Sequence, residues 1–293
     1  MTATIINNQK PNEANVVLIG IPFDRSSGLN GADGGPEAIR KMLNEQIELY
    51  EPITGTSPAE YLNIAYKKVE GLKYASAEKM VKIIKSCVSA PGLVGKFPIA
   101  IGGDHSISIG ILQAMAEIHK NNLPTILQID AHFDLRDDDS DFRELSVGRY
   151  AHCCVMRRAA EMGFPIVTVG VRSFLSAELK FAKKHNIQFF PWLTNSPPEP
   201  TEVIASIPNQ RVYLTLDVDG IDPAHMPATG TPVQGGLSWQ YMLKLLIGLF
   251  GSKDVIGMDV VEVAPSLETT NLTAYGAAQL IYTAIALKFE SYR

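Results

Sequence analysis

Three short clusters of acids and histidines carry the chemistry of this chain. Gly102-Gly103-Asp104-His105-Ser106 follows the apolar run FPIAI, Asp130-Ala131-His132-Phe133-Asp134 follows TILQI, and Asp217-Val218-Asp219-Gly220-Ile221-Asp222-Pro223 follows VYLTL. Side chains alternate along an extended chain, so Asp130, His132 and Asp134 would project to one side beyond their strand, as would Asp217 and Asp219. His105 adds a further imidazole. Carboxylates crowded together repel one another unless a cation sits among them. Imidazoles mixed with carboxylates suit Mn, Zn, Ni or Fe(II) better than calcium, which prefers oxygen ligands alone. Six such groups are too many for one tetrahedral zinc. They suit two metals bridged by carboxylates, an arrangement that activates water at neutral pH.

Each cluster alone would pass for an ordinary strand-end loop, and the elements that hold them give the conjunction its weight. Val16–Ile21, Pro98–Ile101, Thr125–Ile129, Ile166–Val171, Ile187–Phe190, Val212–Leu216 and Val255–Met258 are short, nearly continuous apolar runs. Parallel strands covered on both faces read this way. Helices are expected from Pro36 onward, at Ala75–Val88, Ile107–Ile118, Met156–Met162, Ala177–His185, Trp239–Phe250 and Thr273–Phe289. The alternation predicts a three-layer α/β/α fold with a mostly parallel central sheet. One domain would span residues 1–293, with 1–15 a peripheral N-terminal segment. Glu51 to Gly71 has weak periodicity, and Asn195 to Pro200 reads as a surface connection. Ligands of such sheets bind outside the carboxyl ends of the strands, where all three clusters fall.

The 293 residues include 26 basic and 31 acidic ones, with 46% hydrophobic and 19% charged. That balance excludes intrinsic disorder and gives no bulk basic charge for nucleic acid. Three cysteines cannot frame a disulfide scaffold, and no basic, apolar leader or long apolar span is seen, so a cytoplasmic protein without membrane partners is expected.

The three clusters are similar to the signature motifs of the ureohydrolases, the arginase and agmatinase family. Gly31 to Arg40, Ala228-Thr229-Gly230-Thr231-Pro232, Gly235-Gly236-Leu237 and Asp259-Val260-Val261-Glu262-Val263-Ala264-Pro265 extend the likeness. The resemblance implies an arginase-like α/β/α fold and two Mn(II) ions, with Ni, Co or Fe equally compatible with the donors. It implies that His105, Asp130, Asp134 and Asp217 hold one ion and Asp130, His132, Asp217 and Asp219 the other. Glu262 would grip the substrate guanidinium, Asp134 would accept a hydrogen bond from the nucleophile, and His152 would shuttle a proton to the leaving amine. A homo-oligomer, a trimer or hexamer, is implied as well. His119, His185 and His225 match no motif and are expected to be structural, as are Cys153 and Cys154.

Within this family the resemblance favours agmatine, cleaved to putrescine and urea. The stretch after Asp134 lacks the arginase pattern, and Ser173 stands where arginases carry aspartate. Asp137, Asp138, Asp139 and Asp141 would attract a dication. Arg136, Arg143 and Arg149 point the other way, toward a guanidino acid such as 4-guanidinobutyrate, with arginine third. A non-catalytic metal-binding homologue would have lost ligands or Glu262, and a zinc deacetylase on this fold would need fewer ligands than the six present.

Overall fold

A computed structural model describes residues 4–8, 10–25, 29–141, 147–193 and 196–290. The chain lays down β1 (Val16–Ile21), α1 (Gly35–Glu45), α2 (Pro58–Tyr61), β2 (Ile64–Lys68), α3 (Ala77–Val88), β3 (Phe97–Gly102), α4 (Ile107–Ile118) and β4 (Thr125–Ile129). It continues with α5 (Val155–Glu161), β5 (Ile166–Val169), α6 (Ser176–Lys184), β6 (Gln188–Phe190), α7 (Pro200–Ala205), β7 (Arg211–Asp217), α8 (Trp239–Ser252), β8 (Asp254–Val261) and α9 (Leu272–Lys288). Among the described residues the eight strands form one sheet in the order β2-β1-β3-β8-β7-β4-β5-β6, parallel throughout.

Alternate strand residues feed two apolar layers. Val16 and Leu18 pack on one face with Ile39 and Leu43 of α1, Leu245 of α8 and Ile281 of α9. Val17 and Ile19 pack on the other with Met80 and Ile84 of α3, Leu112 of α4 and Met156 of α5. Both faces are covered, which is why the strands carry apolar residues at successive positions. The three-layer expectation holds.

Three elements were not legible beforehand, among them α2, a single turn in the segment of weak periodicity. β2 lies within the segment of weak periodicity, and its residues grade from buried Ile64 to exposed Lys68 because it is an edge strand with one neighbour. α7 begins at Pro200, where proline sits in the first turn and Glu199 and Glu202 form a capping box. The described part of 1–15 lies along that same edge and is anchored: Ile5 is fully buried, and Asn7 and Asn8 both donate to the Ile64 carbonyl. Asn195 lies outside the described residues.

Candidate metal centre

The four central strands end at one rim. β3 leads into His105, β4 into Asp130–Asp134, β7 ends on Asp217 and β8 leads into Glu262. Strands β3 and β4 follow each other in sequence yet flank the β8–β7 pair, so the order reverses here and a crevice opens beyond the carboxyl ends. Two glycines allow the close approach. A Cβ on Gly103 would lie 1.7 Å from the Phe23 carbonyl oxygen, and one on Gly220 would lie 2.6 Å from the Asp130 amide nitrogen.

Two groups of donors form within this crevice. His105, Asp130 and Asp217 make one, and Asp130, His132 and Asp219 the other. His105 Nδ1 lies 3.2 Å from Asp130 Oδ2, 3.0 Å from Asp134 Oδ2 and 3.4 Å from Asp217 Oδ2. His132 Nδ1 lies 3.5 Å from Asp130 Oδ1 and 3.1 Å from Asp219 Oδ2. Asp130 therefore belongs to both groups through its two oxygens. Asp217 joins the first group only, and its Oδ1 instead accepts the Asp219 amide at 2.9 Å.

The six residues meet, though by a different route from simple alternation. Asp134 has φ +52°, so the chain turns left-handed there rather than staying extended, and this carries its carboxylate to His105 while His132 faces Asp219. Val218–Gly220 is a 3-10 turn, so Asp217 and Asp219 share the crevice by curling around it. Glu262 has φ +65°. Left-handed backbone at a non-glycine residue is uncommon and costs energy, and two of the few cases here fall on candidate site residues.

Burial comes first in the electrostatics, and charge crowding second. Burial, and then Asp219 and Asp130, push the Asp217 carboxyl well above its usual range. Burial and the charge of Asp130 push Asp134 up to about 7. Burial opposes a charge on Asp130, yet the hydrogen bonds from His105 and His132 outweigh it and hold that carboxyl low. Burial likewise opposes charge on His105 and His132, and the surrounding carboxylates overcome it and raise both imidazoles. These protons do the work that cations would do. His105 Nδ1 is fully buried, faces three carboxylates and has no well-formed hydrogen bond. Imidazole and carboxylate donors placed in this way fit a pair of divalent transition metals.

Sequence reasoning missed the supports behind these donors. His105 Nε2 lies 2.8 Å from Thr215 Oγ1, and Thr215 Oγ1 donates to Asp259 Oδ1 at 2.7 Å. Ser108 and Tyr213 hydroxyls also donate to Asp259, each at 2.9 Å. The single Thr215 proton is spent on Asp259, so Thr215 can only accept from His105. Nε2 then carries hydrogen, and Nδ1 is left to face the carboxylates. The signal was present in the period of two: Thr215 is two residues before Asp217, and Asp259 pairs with it across the sheet. Gln128 Nε2 supports Asp130 Oδ2 at 2.8 Å, and Thr231 Oγ1 supports Asp219 Oδ2 at 3.1 Å. Arg172 spends its guanidinium on the carbonyls of Gly170, Asp219, Gly220, Val233 and Gln234, tying the loops of the crevice together. Thr215→Val should weaken Mn(II) binding about 10- to 100-fold, and Thr215→Ser should restore it. Titration followed by the electron paramagnetic resonance of free Mn(II) reads this directly.

Glu262 Oε1 accepts the His105 amide at 2.8 Å, whereas its buried Oε2 has no hydrogen-bond partner among the described residues. Burial, then Asp217 and Asp104, raise this carboxyl well above the usual range. His152 belongs to neither donor group. It opens a buried 3-10 turn (His152–Cys154) anchored beside Asp134: the Arg136 amide donates to the Cys153 carbonyl, and the Arg157 amide to the Asp134 carbonyl. Cys153 and Cys154 pack with Ala151 in a small apolar cluster. His119 and His185 end helices α4 and α6, and His225 lies in a turn.

The loop after Asp134 corrects an expectation. Asp139 is fully buried and accepts the Val147 and Gly148 amides, Asp137 pairs with Arg158, and Asp138 accepts from Ser140. Asp139 is thereby taken out of the acidic field, whereas Asp137 and Asp141 stay more than half exposed although ion-paired. The arginines are engaged too: Arg136 with Asp141, and Arg149 with Glu161. Arg143 lies outside the described residues.

Comparison with known proteins identifies the family. The Arginase family pattern matches residues 14–287. The chain is 34% identical over 289 residues to an N(1)-aminopropylagmatine ureohydrolase of Synechocystis sp., covering 96% of this chain and 91% of that one. It is 31% identical over 276 residues to a guanidinobutyrase of Pseudomonas aeruginosa, covering 90% and 83%. The crystal structure of the agmatine ureohydrolase of Thermoplasma volcanium superposes with a TM-score of 0.84 at 29% identity, covering 99% of this chain and 94% of that one. The chain belongs to the Arginase family and is one of its ureohydrolases.

Proposed function

We propose that this ureohydrolase cleaves the guanidinium carbon of a cationic guanidino amine, agmatine first, to give urea and the diamine. The observation that carries the reading is the buried Oε2 of Glu262, without a hydrogen-bond partner among the described residues, beside two donor groups that share Asp130. His105, Asp130, Asp134 and Asp217 would hold one Mn(II) ion and Asp130, His132, Asp217 and Asp219 the other. Bound there, the ions supply Lewis acidity that lets a water lose its proton near neutral pH.

The chain's own residues do the rest. Glu262 binds and orients the guanidinium, whose planar cation matches a carboxylate. Asp134 accepts a hydrogen bond from the attacking water and aims it at the carbon. His152 delivers the proton that lets the amine leave as the tetrahedral carbon collapses to urea.

Two observations favour an amine tail over an acid. Arg136 is paired with Asp141 of the loop and Arg149 with Glu161 at the end of α5, so both guanidinium groups are already engaged by acids. The Synechocystis relative is named for an aminopropyl derivative of agmatine, which makes an extended polyamine tail the second reading. Urea release should be compared with Mn(II) across agmatine, N(1)-aminopropylagmatine, 4-guanidinobutyrate, arginine and guanidine. One of the two amines should exceed both acids in kcat/KM by at least about tenfold, the ratio that one lost charge-assisted contact gives. A guanidino acid as the best substrate would overturn the reading.

A further inference from the structure

At the other end of the sheet a cavity of about 480 Å³ opens at the first residues of β3, β7 and β8, Phe97, Arg211 and Asp254. The strands put its mouth about 20 Å from the donor groups. Its volume is that of a small-molecule site. The walls are apolar, among them Leu93, Phe97, Met115, Ile256, Met258 and Phe289. Val94 and Ile118 at its lining are 79% and 55% exposed, although both are large and apolar.

The charge on its lining is unbalanced. Lys96, Arg211 and Lys288 line the cavity together with one acid, Asp254, which pairs with Lys288 at 2.8 Å. Arg211 forms no ion pair among the described residues; its Nη2 lies against the ring nitrogens of His119 at 3.3 and 3.4 Å. Burial and the adjacent guanidinium hold His119 below its usual range, so it adds no negative balance and no positive charge at neutral pH. A half-buried guanidinium with donors left over is a carboxylate receptor.

We propose that this cavity binds an amphipathic monocarboxylate, with its apolar body between the Met115 and Ile256 walls and its carboxylate on Arg211 and Lys96. The site is independent of the catalytic reading, since it shares none of the donor residues; only Tyr213, whose hydroxyl supports Asp259, borders both.

Calorimetric titration of the full-length protein with decanoate, and with decanol as the uncharged control, tests it. Decanoate should bind one per chain, at least tenfold tighter than decanol. Arg211→Gln should abolish that preference while leaving the melting temperature unchanged. Ile118→Trp, which adds bulk at the exposed lining without entering the core, should weaken both ligands. Equal affinity for decanoate and decanol, an unaltered preference in Arg211→Gln, or no saturable binding would each overturn the proposal. A change in oligomeric mass on Arg211→Gln, with no ligand bound by the wild type, would assign the face to a second copy of the chain and overturn it as well.

Discussion

Glu262→Gln should lower kcat/KM for the preferred guanidino substrate by about 10²- to 10³-fold or more. Truncating one partner of a buried, hydrogen-bonded charge pair costs about 2–5 kcal/mol, and each 1.4 kcal/mol is a factor of ten. The carboxyl is 1% exposed and its Oε2 has no hydrogen-bond partner among the described residues, so a guanidinium that arrives there meets an acceptor with no such bond to break. Glutamine keeps the shape and the acceptor for the His105 amide but loses the charge. The fold should therefore stay intact, with a melting temperature equal to the wild type or higher, because a buried acid that resists ionisation has been removed. Steady-state urea release from pH 6 to 9 measures the loss. A loss of less than tenfold at all pH values would remove Glu262 from substrate binding.

The acids of this site were readable because they follow apolar runs, and a parallel sheet delivers every strand end to one rim. Asp130, Asp217 and their neighbours needed no more than that rule. Their mutual arrangement was not readable. Period-two alternation predicts that Asp134 shares a side with His132, and the left-handed turn at Asp134 separates them, one toward His105 and one toward Asp219. Such a turn leaves no mark in a sequence when the residue is not glycine. The loop acids illustrate a second limit. Asp139 among Asp137, Asp138 and Asp141 looks like solvated charge, yet it is buried because it satisfies two loop amides. Composition cannot tell a carboxylate that caps backbone from one that faces water. The Thr215–Asp259 support was hidden for a third reason: its members lie on strands β7 and β8, far apart in sequence, and the contact exists only once their register is known.

Stripping metal should destabilise the protein, and the loss should grow with pH. The carboxyls of Asp134 and Asp217 and the imidazoles of His105 and His132 all have folded-state pKa values above their unfolded ones. For each, the metal-free native state holds more protons than the unfolded chain above the unfolded pKa, so stability falls as pH rises. The Asp134 contribution is complete below about 4 and is lost as pH passes about 7. With an ordinary value of 3.8 and a folded value of about 7, only about one pH unit of the Asp134 decline, about 1.4 kcal/mol, falls above pH 6. The two imidazoles extend the decline above pH 6.5. Asp130 has the opposite sign, because its folded pKa is depressed, but its contribution is lost only on acidification below its usual range, outside this window. Metal reverses the trend: cations replace the protons, the ligands deprotonate, and affinity for metal rises with pH. The gap in melting temperature between Mn(II)-loaded and chelator-treated protein should therefore widen from pH 6 to pH 8.5, by about 3–6 °C from Asp134 at about 2–4 °C per kcal/mol for a chain of this size, and further through the two imidazoles. Differential scanning calorimetry on both forms measures the gap. A gap independent of pH would mean that the four carboxylates do not share a metal centre, whatever the activity of the loaded enzyme.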